Sequence, residues 1–195
     1  MNIATRLLVY TIQYAGVLLA MLFLLRFLLQ LARASFHNPI SQFVYRASRI
    51  PVDGLTRLLP AIGRFSIASL VLALTMEWLA IILTLLVVGA GLPGIILLLW
   101  WAVLGLAALL VNLYFYGIFA MVVLSWVAPQ THHPAAVLLM QLLEPVLGPA
   151  RRLIPQLGCL DLSPMLVLFL LGALRLLLHN LAAGSAMIAG LVPGF

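Results

Sequence analysis

The sequence predicts an all-α membrane protein: four transmembrane helices arranged as two parallel helix-connector-helix repeats with amphipathic interfacial helices. Three observations carry this expectation. Two-thirds of the 195 residues are hydrophobic and 7% are charged, against roughly 25% charged residues in an ordinary soluble domain. Four apolar runs are each long enough for the ~20 residues that a spanning helix needs. A stretch of the chain also recurs at a fixed offset, as set out below.

The first span is expected at about 7–32. It is too long for the apolar core of a cleaved signal and contains Arg26, so it is read as part of the mature fold. The second, at about 67–88, is interrupted by one charge, Glu77. The "GAGLPG" from Gly89 to Gly94 then ends a helix and reverses the chain. The third run, Ile95 to Val127, carries no charge and exceeds the minimum span, which places its first residues outside the hydrocarbon and the span itself at about 98–127. Trp100, Trp101 and Trp126 mark its two interfaces. The fourth span, about 163–180, contains Arg175 and gives way to a tail of small residues expected to be loosely ordered.

All ten basic residues are arginines, and with four acids they give a formal charge of +6. In so apolar a chain this charge reports topology and gives no reason to expect a nucleic-acid partner. Five arginines (Arg33, Arg46, Arg49, Arg57 and Arg64) separate spans one and two, and Arg151 with Arg152 separates spans three and four. Positive loops are retained inside the cell, so both connectors are expected in the cytoplasm and both termini outside.

The repeat relates "HNPISQFVYRASRIPVDGLTRLLPAIG", from His37 to Gly63, to "HHPAAVLLMQLLEPVLGPARRLIPQLG", from His132 to Gly158. Histidine, proline, arginine, leucine, proline and glycine coincide without a gap at an offset of 95. Residues 1–91 then form one hairpin, with connector 33–66, and 92–195 the other, with connector 128–162. An even number of spans per unit gives both copies the same orientation, unlike the inverted repeats of many transporters.

Each connector is expected to hold two short amphipathic helices. In the first, Ile40, Phe43, Val44, Ala47 and Ile50 share one face, and Ser41, Gln42, Arg46 and Arg49 the other, a pattern suited to the membrane surface. Pro51 and Pro145 are expected to break the helix or start the next one, because proline lacks the donor that a helix interior requires. Two readings of these segments stand: a connector that hugs the membrane, or a docking surface for a partner.

The second connector, with "EPVLGPARRLIPQLG" followed by "LDLSP", resembles the signature of the YggT family of small bacterial and plastid membrane proteins, and the first resembles its weaker twin. The resemblance covers nearly the whole chain. It rests on Pro134, Pro145, Pro149, Arg151, Arg152, Pro155, Gly158, Asp161, Ser163 and Pro164. Departures are His133 in place of an asparagine, Cys159 in place of a glycine, and Ser66 opposite Asp161 in the first copy. The resemblance implies an inner-membrane protein tied to osmotic or envelope stress and potassium balance. It also implies relatives linked to division-site organisation or to haem attachment in plastids, and no defining enzymatic activity.

Single residues add little catalytic signal. No serine, histidine and acid set forms a triad, no glycine loop has a phosphate-binding pattern, and one cysteine excludes a cysteine-cluster metal site. No catalytic, cofactor or metal residue is therefore assigned. His37, His132 and His133 lack ligand spacing, and the aromatics from Tyr114 are read as packing. Asp161 or Ser163 is expected to cap the fourth span; Ser163 as the cap puts Pro164 at the first helical position, and Asp161 sits favourably beside the positive helix end. Glu77 and Arg175 fall at similar depth on spans two and four and are expected to form an interhelical ion pair, since a lone charge at mid-membrane costs at least ~2.5 kcal/mol. Arg26 is expected to snorkel to the surface.

The leading expectation is a non-enzymatic inner-membrane protein that supports envelope or osmotic homeostasis by docking to a membrane-protein partner or to a second copy, with membrane lipids as its other contacts. The rival classes are a small ion pathway through Glu77 and a haem-attachment helper.

Overall fold

The computed structural model describes residues 2–128, 133–153, 161–185, 187, 192 and 194. Among these, the helices are α1 (Ile3–Leu31), α2 (Pro39–Thr56), α3 (Ile67–Val88), α4 (Ile95–Val127), α5 (Pro134–Leu153) and α6 (Ser163–Gly184). The chain is all-helical, and α1, α3, α4 and α6 are long and apolar enough to span a membrane. In hydrocarbon each backbone donor must be satisfied within its own segment, so apolar runs of this length resolve into helices.

The helix ends follow local chemistry. α1 closes through Arg33 at φ 52, with Ala34 N–H donating to the Leu29 carbonyl at 2.9 Å; this left-handed stop usually takes glycine. Gly89, at φ 73, ends α3 in the same way before the expected reversal. Asn38 caps α2 by accepting from Ile40 N–H at 2.9 Å with Pro39 in the first turn, and Ser66 caps α3 by accepting from Ser69 N–H at 3.4 Å.

Packing follows the duplication. α1 lies along α3, α4 lies along α6, and the two hairpins join through α3 and α4. Gly16 on α1 brings its backbone directly onto the Ala80 side chain of α3, as small residues do where membrane helices approach closely. α4 is the central element: half of its apolar window is buried inside the protein, against 17% for α6. Its buried face, from Leu98 through Trp101, Leu104 and Leu109 to Ile118, contributes to both clusters of the core.

The connectors α2 and α5 pack against each other on one face of the bundle. Asn38 Nδ2 donates to the Pro134 carbonyl at 2.6 Å, and Ser35 N–H donates to Gln141 Oε1 at 3.1 Å. That shared face is what a parallel repeat requires.

The expected division of each connector into two helices is corrected. α2 runs unbroken through Pro51, and α5 runs through Pro145 and Pro149. All three prolines stand on exposed positions. A proline frees the carbonyl four residues earlier, and that carbonyl lies on the same outward face, where water or headgroups satisfy it. Val44, Ser48 and Val52 on α2, and Leu142, Leu143 and Leu147 on α5, meanwhile hold the inner face in the core.

Most of the tail expected to be loosely ordered lies outside the described residues. Met187 and Val192 are buried against α4, and Asn112 Nδ2 donates to the Gly194 carbonyl at 3.0 Å.

Candidate functional site

Each hairpin holds a charged corner where a span meets its connector. In the second copy, Arg151 on the last turn of α5 reaches two acids. Its Nη1 lies 2.9 Å from Glu144 Oε2, and its Nε lies 3.1 Å from Asp161 Oδ2. Asp161 Oδ1 accepts from the Ser163 backbone N–H at 2.9 Å. One carboxylate therefore anchors the end of α5 and caps the start of α6. Ser163 is the first residue of α6 instead of its N-cap, which is Leu162, and Pro164 stands in the first turn. The Ser163 hydroxyl is buried and Asp161 supplies the capping oxygen, so of the two candidates for the cap the acid takes the role.

Burial pushes the Asp161 carboxyl up, but donors from Ser163 and Arg151 more than offset this and hold it below the ordinary carboxylate value of 3.8. A depressed folded-state pKa gives stability that is present above the unfolded value and lost as pH falls through the folded one. The melting temperature of the detergent-solubilised protein is therefore expected to fall with acid below about pH 4, with part of that dependence absent in Asp161→Asn. An identical pH profile in the variant would show that the corner contributes nothing.

The corner opens on a cavity of about 650 Å3 whose walls include Met121, Trp126, Met140 and Met165, with Glu144, Arg151 and Asp161 at its polar side. Arg152 is exposed beside it, Pro145 and Pro149 face outward, and Pro134 supplies the carbonyl held by Asn38. Pro155 and Gly158 lie outside the described residues.

In the first copy the charged corner lies at the other end of the connector, between α1 and α2, and is built from other side chains. Arg26 on α1 donates to the Tyr45 carbonyl at 3.3 Å and to Ser48 Oγ at 3.2 Å, pairs with Asp53 at 3.1 Å, and lies over the Tyr45 ring at 5.0 Å. Its side chain is 11% exposed. The expectation of a freely snorkelling Arg26 is corrected: complementary groups on α2 take up its donors and pin the connector to the first span. Burial pushes the Tyr45 hydroxyl up, and the Arg26 charge partly opposes the shift.

The expected pair of Glu77 and Arg175 is not formed. Glu77 is fully buried at the seam of α3 and α4, against Gly105, and neither carboxylate oxygen has a hydrogen-bond partner among the described residues. Arg175 instead stacks over Phe115 at 5.0 Å and Tyr116 at 5.6 Å. It borders a cavity of about 340 Å3 with Asn112, Leu178 and His179. α3 and α6 do not pack on each other, because α4 stands between them. Similar depth was the only warrant for the pair, and depth does not fix direction around a bundle.

Glu144 and the partners of Arg26 were missed in the sequence. Glu144 lies seven residues before Arg151 on one helix, a spacing of two turns that places both side chains on one face. Arg26 and Asp53 are charges of opposite sign on adjacent elements near one membrane edge, which is a signal, but a weak one.

A family model described as CCB3/YggT matches the chain twice, over 5–87 and 100–182, and the two copies begin and end 95 residues apart. An uncharacterized protein of Pseudomonas aeruginosa, PA0392, is 41% identical over 181 residues, covering 92% of each chain. The uncharacterized protein YggT of Escherichia coli K12 is 36% identical over 179 residues, covering 89% of this chain and 91% of its own. An uncharacterized protein of Haemophilus influenzae is 33% identical over 174 residues, covering 88% and 91%. No solved structure matches the chain.

Proposed function

The chain belongs to the CCB3/YggT family, and from that premise we propose that it is a non-enzymatic protein of the bacterial inner membrane that supports envelope and osmotic homeostasis by docking to another membrane protein. The observation that carries this reading is the face made jointly by α2 and α5. Two connectors from two repeats, locked together through Asn38 and Gln141, form a surface that is larger and stiffer than either alone. Phe36, Leu58 and Leu153 stand exposed on these segments beside Arg57 and Arg152. Apolar anchors rimmed by arginine are the composition of a recognition patch. The arginine distribution supports a cytoplasmic position for that face, with both termini outside.

The test is a photo-reactive residue at Phe36, Leu58 or Leu153 in living cells, with Leu176 on the exposed side of α6 as reference. Connector positions are expected to give one discrete adduct with a second membrane protein, and a deletion strain is expected to grow poorly under osmotic shock. Adducts equal at all four positions, or none from the connectors, would remove the docking reading. Potassium flux in liposomes that disappears with Glu77→Gln would replace it with transport. Against a cation path stands Arg175, whose charge borders the cavity at mid-membrane and repels cations.

A further inference from the structure

We propose that the corner between α1 and α2 is a binding site for the headgroup of an anionic phospholipid. It is a cavity of about 240 Å3 lined by Arg26, Tyr45, Arg46, Arg49 and Asp53. Three arginines share one acid. Asp53 pairs with Arg26 at 3.1 Å and with Arg49 at 3.4 Å, which orients both guanidinium groups and leaves a net charge of +2 around the cavity. Arg46, one turn before Arg49, meets no carboxylate among the described residues. Guanidinium groups match phosphate oxygens in geometry as well as charge.

Depth identifies the source of the phosphate. Arg26 lies five residues before the end of α1, about 7.5 Å at ~1.5 Å per residue, which sets it within the last turns of an apolar span and not in a loop. Arg46 is flanked on the outer side of α2 by Phe43, 68% exposed, and Ile50, 86% exposed. Apolar side chains left open on either side of a cation suit acyl chains below and a phosphate at the level of the guanidinium. A free anion would have no use for them.

The second repeat supplies an internal comparison. At the offset of 95, Met121, Met140, Gln141, Glu144 and Gly148 stand where the first copy has Arg26, Tyr45, Arg46, Arg49 and Asp53. The two corners occupy equivalent places in one architecture, yet only the first has an excess of arginine. Joining the connector to its first span does not itself demand three arginines, because the second copy carries no arginine at any of these positions. The surplus charge in the first copy therefore points to a ligand. This site is independent of the docking surface proposed above, and its test reads lipid alone.

The full chain, purified in mild detergent, would be titrated with dioleoylphosphatidylglycerol, dioleoylphosphatidylcholine or inorganic phosphate, with bound lipid counted by native mass spectrometry. The glycerol lipid is expected to bind about tenfold more tightly than the choline lipid, and phosphate at matching concentration is expected not to displace it. Arg46→Gln/Arg49→Gln is expected to erase the preference, whereas Arg57→Gln/Arg64→Gln, which removes the same charge elsewhere on the connector, is expected to keep it. Should the first double variant fail to fold, Arg46→Gln alone carries the test, since this side chain holds no carboxylate within the protein. Equal binding of the two lipids, displacement by phosphate, or equal loss in both double variants would overturn the proposal.

Discussion

Gly16→Leu is expected to prevent accumulation of the folded protein. A side chain at this position has nowhere to go: even its Cβ would collide with the Cβ of Ala80, and the Ala80 Cα and Met76 carbonyl stand just behind at 3.8 and 3.9 Å. Overpacking a well-packed core typically costs about 1–3 kcal/mol, and more where helix backbones must separate. The α1 and α3 pairing is the most extensive in the bundle and joins the two spans of the first hairpin, so its separation would also strain the connector between them. Membrane abundance and detergent melting would show the loss. Gly16→Ala is expected to have an intermediate effect, and Ala80→Gly to restore it, because the pair shares one space. Failure of that compensation would mean the helices are held apart elsewhere.

The second large effect concerns Glu77. Its two carboxylate oxygens are buried and meet no donor among the described residues, and a buried polar group without a partner costs about 1–3 kcal/mol by mutational measures. Glu77→Met, similar in volume and free of that cost, is expected to raise the melting temperature or leave it unchanged. Glu77→Arg is expected to fail, since a longer permanent charge would press into Gly105 in a setting where a lone arginine costs ~2.5–3.5 kcal/mol or more. Adding Arg175→Glu is expected to give no rescue, because α4 separates the two helices. Rescue by the exchange would overturn the packing order of the bundle. A stable Glu77→Met protein that cannot complement a deletion strain would give Glu77 a role beyond structure.

The spans and their duplication were legible because both signals are long: an apolar run of more than twenty residues competes with no other assignment, and the six coincidences from His37 to Gly63 fix the offset. Turn chemistry was legible at Gly89, which ends α3 through its own backbone ahead of Pro93. The connectors were misread at Pro51 and Pro145 because the proline rule weighs a lost local bond, whereas exposure of that bond and a continuous buried stripe decide the outcome. At the site, Arg151, Asp161 and Pro164 were marked by their dense motif. Arg26 was hidden because its partner, Asp53, belongs to another element. The Glu77 and Arg175 pairing failed for a complementary reason: helical rise gives height along a span, while the neighbour on each side is set by the packing of all the helices.

α4 is 33 residues long, a rod of about 50 Å at ~1.5 Å per residue, and contains no proline. A film with a hydrocarbon layer ~30 Å thick would swallow it only at a tilt of roughly 50°, beyond the ~0–40° that spanning helices adopt. The rod therefore protrudes, and because every other helix but α2 rests against it, it serves as a strut across the membrane. A load taken up at Trp126 near the connectors is delivered without a hinge to the Gly94 turn on the opposite side.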